Sequence, residues 1–171
     1  MTLRREATRL VTVALTGLLL TLSEPMRAQQ RGPGELGFPD VVAGLKATPG
    51  CLGVETVRTR DGKNVVFAWF ENKDAALKWY YSDMHQGAMN KFFPGERRKP
   101  LAFVEGDGPI LTIASVTVSE NARVGGLPIS QIAIELYRPL NGGIAVGGRF
   151  APETLKVPHM QVVPLPKAGG N

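Results

Sequence analysis

The chain has 171 residues, with 20 Lys and Arg against 15 Asp and Glu, a formal net charge of +5 and a sequence pI near 9.6. That length suits one domain and is enough for a proper core. A lone cysteine, Cys51, excludes an internal disulfide framework, and Gly and Pro together make about a fifth of the chain, the composition of many tight turns between strands.

Arg4, Arg5 and Arg9 precede an apolar run from Leu10 to Leu22. Thirteen residues are too few to cross a bilayer, which takes ~20, but they fit the apolar core of a secretory signal. Residues 1–28 therefore read as a signal peptide cut after Ala28, with an uncleaved anchor as the alternative. The mature protein is expected outside the cytoplasm, periplasmic or extracellular, with no further membrane segment. Cleavage removes four arginines and two glutamates, so the charge falls from +5 to +3. The dense basic cluster that remains, Arg97-Arg98-Lys99, lies between Pro94-Gly95 and Pro100. It reads as a solvated turn, and no nucleic-acid partner is expected because no basic stripe extends from it.

Residues 29–37 form a polar Gly/Pro leader, and residues 38–157 the domain. Phe38 to Thr48 is expected as a short helix, with Val41, Val42 and Leu45 at helical spacing and Pro49-Gly50 ending it. Two strands follow, Leu52–Arg58 and Asn64–Phe70, joined through Asp61-Gly62, a strong hairpin signal. The second strand is apolar on both sides, so both its faces are expected to be covered. Asn72 is a candidate N-cap for a helix from Lys73. Leu77, Tyr81, Met84 and Ala88 share one helical face while Trp79 falls opposite, so either Trp79 makes a second contact surface or the helix breaks at Ser82 and restarts from Asp83. Ile110–Val118 and Ile129–Tyr137 alternate as strands, and Ile144–Phe150 is expected as a further strand in a C-terminal hairpin through Pro139–Gly143. Residues 158–171 read as an extended Pro-rich tail. The order of elements predicts an α+β fold with an antiparallel sheet.

Residues 46–93 carry a longer pattern: Lys46-Ala47-Thr48-Pro49-Gly50-Cys51-Leu52-Gly53-Val54-Glu55, then Asp61-Gly62, Val65 to Glu71, Asp74-Ala75-Ala76, Trp79 and Ser82-Asp83-Met84-His85. This third of the chain resembles the antibiotic-biosynthesis-monooxygenase-like families of the dimeric α+β barrel superfamily. The resemblance implies a ferredoxin-like antiparallel sheet covered by two helices. It also implies a homodimer enclosing a barrel, and a pocket for a small apolar or aromatic ligand in each subunit. The chain departs from the pattern in lacking a strand before its first helix. Ile110–Val118 or Ile129–Tyr137 is left to fill that slot, with the C-terminal β-hairpin as an addition. Met89 stands where the haem-degrading branch carries a His, so that chemistry is not implied.

His85 is the candidate catalytic residue. In the first turn of a helix begun by Ser82, the positive helix end favours the neutral ring, and a neutral imidazole can serve as a general base. Its alternative role is to close the helix start by hydrogen bonding. Trp69, Tyr81, Phe67 and Trp79 are the candidate substrate-binding residues, as aromatic walls for a flat ligand. No metal-ligand spacing is present and no cofactor is expected; His159 has no assigned role. Three functions compete: a cofactor-free monooxygenase acting on a small aromatic or quinol-type substrate, a non-catalytic exported binder of a small hydrophobic ligand, and a structural dimerisation module.

Overall fold

The computed structural model describes residues 40–95, 99–124 and 126–166. The expected signal peptide, the leader, Phe38, Pro39, Arg97, Arg98 and the last five residues of the tail lie outside them.

The first helix, α1, runs Val41–Ala47 and starts later than its spacing suggested, because Asp40 takes the cap. The Asp40 carboxylate accepts the Ala43 N–H at 3.0 Å, satisfying one of the donors a helix start leaves orphaned. Pro49-Gly50 then turns the chain. Gly50 adopts φ +84, and a Cβ there would lie 2.6 Å from the Ala75 Cβ, so only glycine lets this turn lie against the next helix.

Strands β1 (Cys51–Arg58) and β2 (Lys63–Phe70) form the expected antiparallel hairpin, each one residue longer at its start. Gly62 supplies the positive φ of +86 that the connection needs, and Thr59 Oγ1 donates to the Asp61 carboxylate at 2.5 Å. The helical region then breaks where the apolar pattern changes face. Helix α2 (Lys73–Tyr80) is capped by Asn72, whose side chain accepts from the Ala75 N–H at 2.9 Å. Helix α3 (Asp83–Phe92) is capped by Ser82. The break resolves the two choices for Trp79: it joins the core beneath α1 and α2 while α3 turns a new face inward.

Strands β3 (Ile110–Val118) and β4 (Ile129–Tyr137) complete a four-stranded sheet in the order β1-β2-β3-β4, antiparallel throughout. Strand β3 pairs with β2, with Phe67 opposite Ile113 and Phe70 opposite Ile110, and β4 lies beyond it. The fold is thus α+β, a four-stranded antiparallel sheet with three helices. The sheet is open, with β1 and β4 as its edges.

The pleat sorts the side chains. Val54, Val66, Ala68, Phe70 and Ile110 face the helices and pack with Leu45, Ala75, Ala76 and Trp79 into one core. A second cluster joins Phe92 of α3 to Leu127 and Ile129. Val65, Phe67 and Trp69 point the other way, so both faces of β2 are covered as its composition suggested. The cover on that second face is the chain's own C-terminal part: Phe150 lies against Phe67 and Trp69, and Pro152 against Gly53. Arg149 pins this segment by donating to the carbonyls of Pro152 and Leu155 at 2.5 and 2.6 Å.

The expected C-terminal β-hairpin is not formed. Strand β5 spans Gly143–Val146 and pairs in parallel with β6 (Met160–Val163), in a separate two-stranded sheet. Gly142 and Gly143 (φ +93 and +131) turn the chain away from β4, and Gly147 and Gly148 (φ +71 and +142) end the strand before Phe150. The connection to β6 is then free to cross the sheet, the kind of long return that a parallel pair requires. The tail that read as extended contributes β6.

Candidate functional site

The break between α2 and α3 builds the candidate site. Two consecutive turns meet there, and the last carbonyls of α2 need partners. The Tyr81 N–H bonds to the Leu77 carbonyl and the Ser82 N–H to that of Trp79. His85 and Gln86 reach back from the first turn of α3 to the carbonyl of Tyr80, His85 through Nδ1 at 2.9 Å and Gln86 through Nε2 at 2.5 Å. The backbone N–H of His85 donates to Ser82 Oγ at 3.3 Å. His85 therefore has its main chain tied to the cap and its ring tied to the preceding helix.

That bond fixes the tautomer. A carbonyl oxygen only accepts, so the proton sits on Nδ1 and Nε2 keeps a lone pair. Burial lowers the imidazole's pKa from its ordinary value of 6.5, against a smaller raising contribution from the Tyr80 carbonyl, so the ring is neutral at pH 7. The N-terminal end of α3 acts in the same direction. The Trp79 ring meets the imidazole edge-on with centroids 5.4 Å apart, and the Tyr80 ring lies tilted at 4.9 Å.

The candidate residues fall into two groups. His85 and Trp79 come together at the helix break. Tyr81 is adjacent but exposed, its ring edge-on to Tyr80 at 5.1 Å. Phe67 and Trp69 stack on one another at 6.1 Å on the opposite face of the sheet, beneath Phe150, so the sheet separates them from His85. Their nearness in sequence to Trp79 gave no hint of this, because consecutive strand residues alternate faces. Tyr80, by contrast, supplies both a ring and the carbonyl that holds His85. It stands in the same aromatic run, but the contact spans five residues across a break and has no helical spacing to reveal it.

An open cleft of about 250 Å³ lies elsewhere, lined by Phe103, Val104, Ile110, Leu136, Tyr137 and Arg138 among others. The Arg138 guanidinium braces its rim by donating to the carbonyls of Glu105 and Gly106 at 2.5 and 3.0 Å. Cys51 is half-buried, and burial pushes its thiol up from the ordinary value, which keeps it protonated and a poor nucleophile. Among the described residues, no group of three or more His, Cys, Asp or Glu side chains converges as a metal site, and no helix is long and apolar enough to cross a membrane.

No family model matches the chain, and no solved structure matches it. It is similar to the uncharacterized protein YqjZ of Bacillus subtilis (strain 168), at 40% identity over 43 residues. That match covers 25% of this chain and 38% of the relative.

Proposed function

We propose that this chain is an exported, self-associating protein of ferredoxin-like form in which His85 serves as general base of a cofactor-free monooxygenase. One observation carries the reading: a neutral imidazole whose Nδ1–H is held by the Tyr80 carbonyl, leaving the Nε2 lone pair to accept a proton. The substrate class is a small, acidic, electron-rich aromatic such as an anthrone or a hydroquinone. Nε2 removes a proton from an anthrone, and the resulting anion reduces dioxygen. One oxygen atom becomes the new carbonyl and the other leaves as water. Such chemistry asks of the protein a base, an apolar wall and orientation, and Trp79 with Tyr80 provides the wall. The test is oxygen uptake with anthrones and hydroquinones, run beside His85→Ala. Uptake at least tenfold slower in the variant supports the base; equal uptake in both, or none in either, refutes it for these substrates.

A second reading, a non-catalytic binder of a small hydrophobic ligand, is favoured by the cleft between Phe103 and Leu136, with its apolar floor and the cationic Arg138 at its rim. Aromatic acids that raise the melting temperature without consuming oxygen, with the shift lost in Leu136→Glu, are the result it expects.

A further inference from the structure

We propose that β5 is a self-pairing edge, joining this chain to a second copy of itself through an antiparallel β5–β5 contact centred on Ala145. The proposal rests on the reading that the chain self-associates, and it names the surface.

The β5–β6 ribbon is incomplete by physical standards. Parallel pairs are the weaker ladder, parallel sheets are normally covered on both faces, and two strands alone are marginal in water. Here one face of the ribbon presents Ile144, Val146 and Val163 at 67%, 58% and 43% exposure. The other edge of β5 has no paired strand among the described residues, and Ala145 at its centre is 7% exposed. The Gly147 N–H donates to the Val163 carbonyl at 2.9 Å, and alternate residues bond to alternate sides. Ile144 and Val146 therefore turn their N–H and C=O groups away from β6, toward an edge where no strand lies among the described residues. Exposed edges are ordinarily guarded by charge or proline. Residues 142–148 contain neither, whereas β6 is flanked by Pro158, Pro164 and Pro166, which guards its side of the ribbon.

The segment also matches itself. Gly142-Gly143-Ile144-Ala145-Val146-Gly147-Gly148 reads nearly the same in both directions. A two-fold axis through Ala145 sets Ile144 opposite Val146 of the second copy, twice, so that one patch serves both sides of an isologous contact. These two pairs carry the outward-facing backbone groups and form about four ladder hydrogen bonds, while the two Ala145 residues make the close, non-hydrogen-bonded pair. The positive-φ glycines on both sides limit the pairing to this short stretch. The result is a four-stranded ribbon in the order β6-β5-β5-β6, with its aliphatic face doubled in area.

Light scattering and sedimentation equilibrium over a concentration series test the proposal, with circular dichroism melts to verify folding. The unaltered protein is expected to be a dimer. Ile144→Lys and Val146→Pro should raise the dimer dissociation constant at least tenfold while the melt stays cooperative, and Val57→Lys on the β1 edge should not. In a Cys51→Ser background, Ala145→Cys should give a disulfide-linked dimer on mild oxidation, because ~4.5 Å between facing Cα atoms suits that bond. A monomer at every concentration overturns both self-association and this surface. A dimer that survives Ile144→Lys and Val146→Pro, or that fails to cross-link through Ala145→Cys, overturns the β5 pairing alone.

Discussion

Replacing Phe150 with alanine tests how the helix-free face of the sheet is closed. Phe150 meets Phe67 and Trp69 edge-on at centroid distances of 5.1 and 5.4 Å. Each such pair contributes about 1 kcal/mol beyond the area it buries. Phe150 is itself 55% exposed, so about half of the ~2–3 kcal/mol for a fully buried phenylalanine is at stake, or about 1 kcal/mol. Phe150→Ala should therefore destabilise the fold by about 3 kcal/mol. The assay is urea unfolding followed by tryptophan emission in a Trp79→Phe background, where Trp69 is the sole reporter. Trp69 is 4% exposed in the native fold, so its emission should move to the red and its quenching by acrylamide should rise. A midpoint shift worth less than ~0.5 kcal/mol, with Trp69 as protected as before, would show that residues 149–155 do not hold this face.

Gly50→Ala should cost about 2–4 kcal/mol, read by chemical denaturation, since it combines a left-handed backbone with a Cβ driven into the buried Ala75. Ser82→Ala should cost about 1 kcal/mol through loss of the α3 cap, and the same change should weaken the hold on the His85 main chain. The pKa of His85 is lower in the folded chain than in the unfolded one, so unfolding takes up a proton once the pH falls below about 6.5. Stability from this group is thus complete above the ordinary imidazole range and is lost as the pH drops through it. His85→Gln should flatten that part of the stability–pH curve, measured by urea melts between pH 4.5 and 8.

The parts of the fold that were legible in the sequence are those set by local chemistry. Asp61-Gly62 marks the β1–β2 turn because a positive φ is needed there, and Asn72 and Ser82 mark helix starts because their side chains replace missing backbone partners. Trp79 signalled the helix break through a hydrophobic period that failed. The β5–β6 pairing was not legible. Ile144 to Phe150 reads as one strand-like run, and the conformations of Gly147 and Gly148 divide it. The partner, β6, lies in a Pro-rich stretch whose strand character comes entirely from a non-local ladder.

The candidate site shows the same limit. His85 could be placed at a helix start from Ser82 alone, and its neutral state followed from that placement. Its fixed tautomer did not, since that depends on the Tyr80 carbonyl coming around the break. The aromatic residues expected to share its pocket were grouped by sequence proximity, which cannot distinguish the two faces of β2. The consequence reaches beyond the site. The face holding Phe67 and Trp69 is the one a second sheet would cover in a face-to-face pair, and Phe150 and Pro152 already occupy its β1–β2 half. A second copy must either displace that segment, losing the two aromatic contacts of Phe150, or bind where apolar surface is still open. The ribbon edge meets the second condition at no such cost, and this difference in energy favours β5 over the sheet face as the meeting surface.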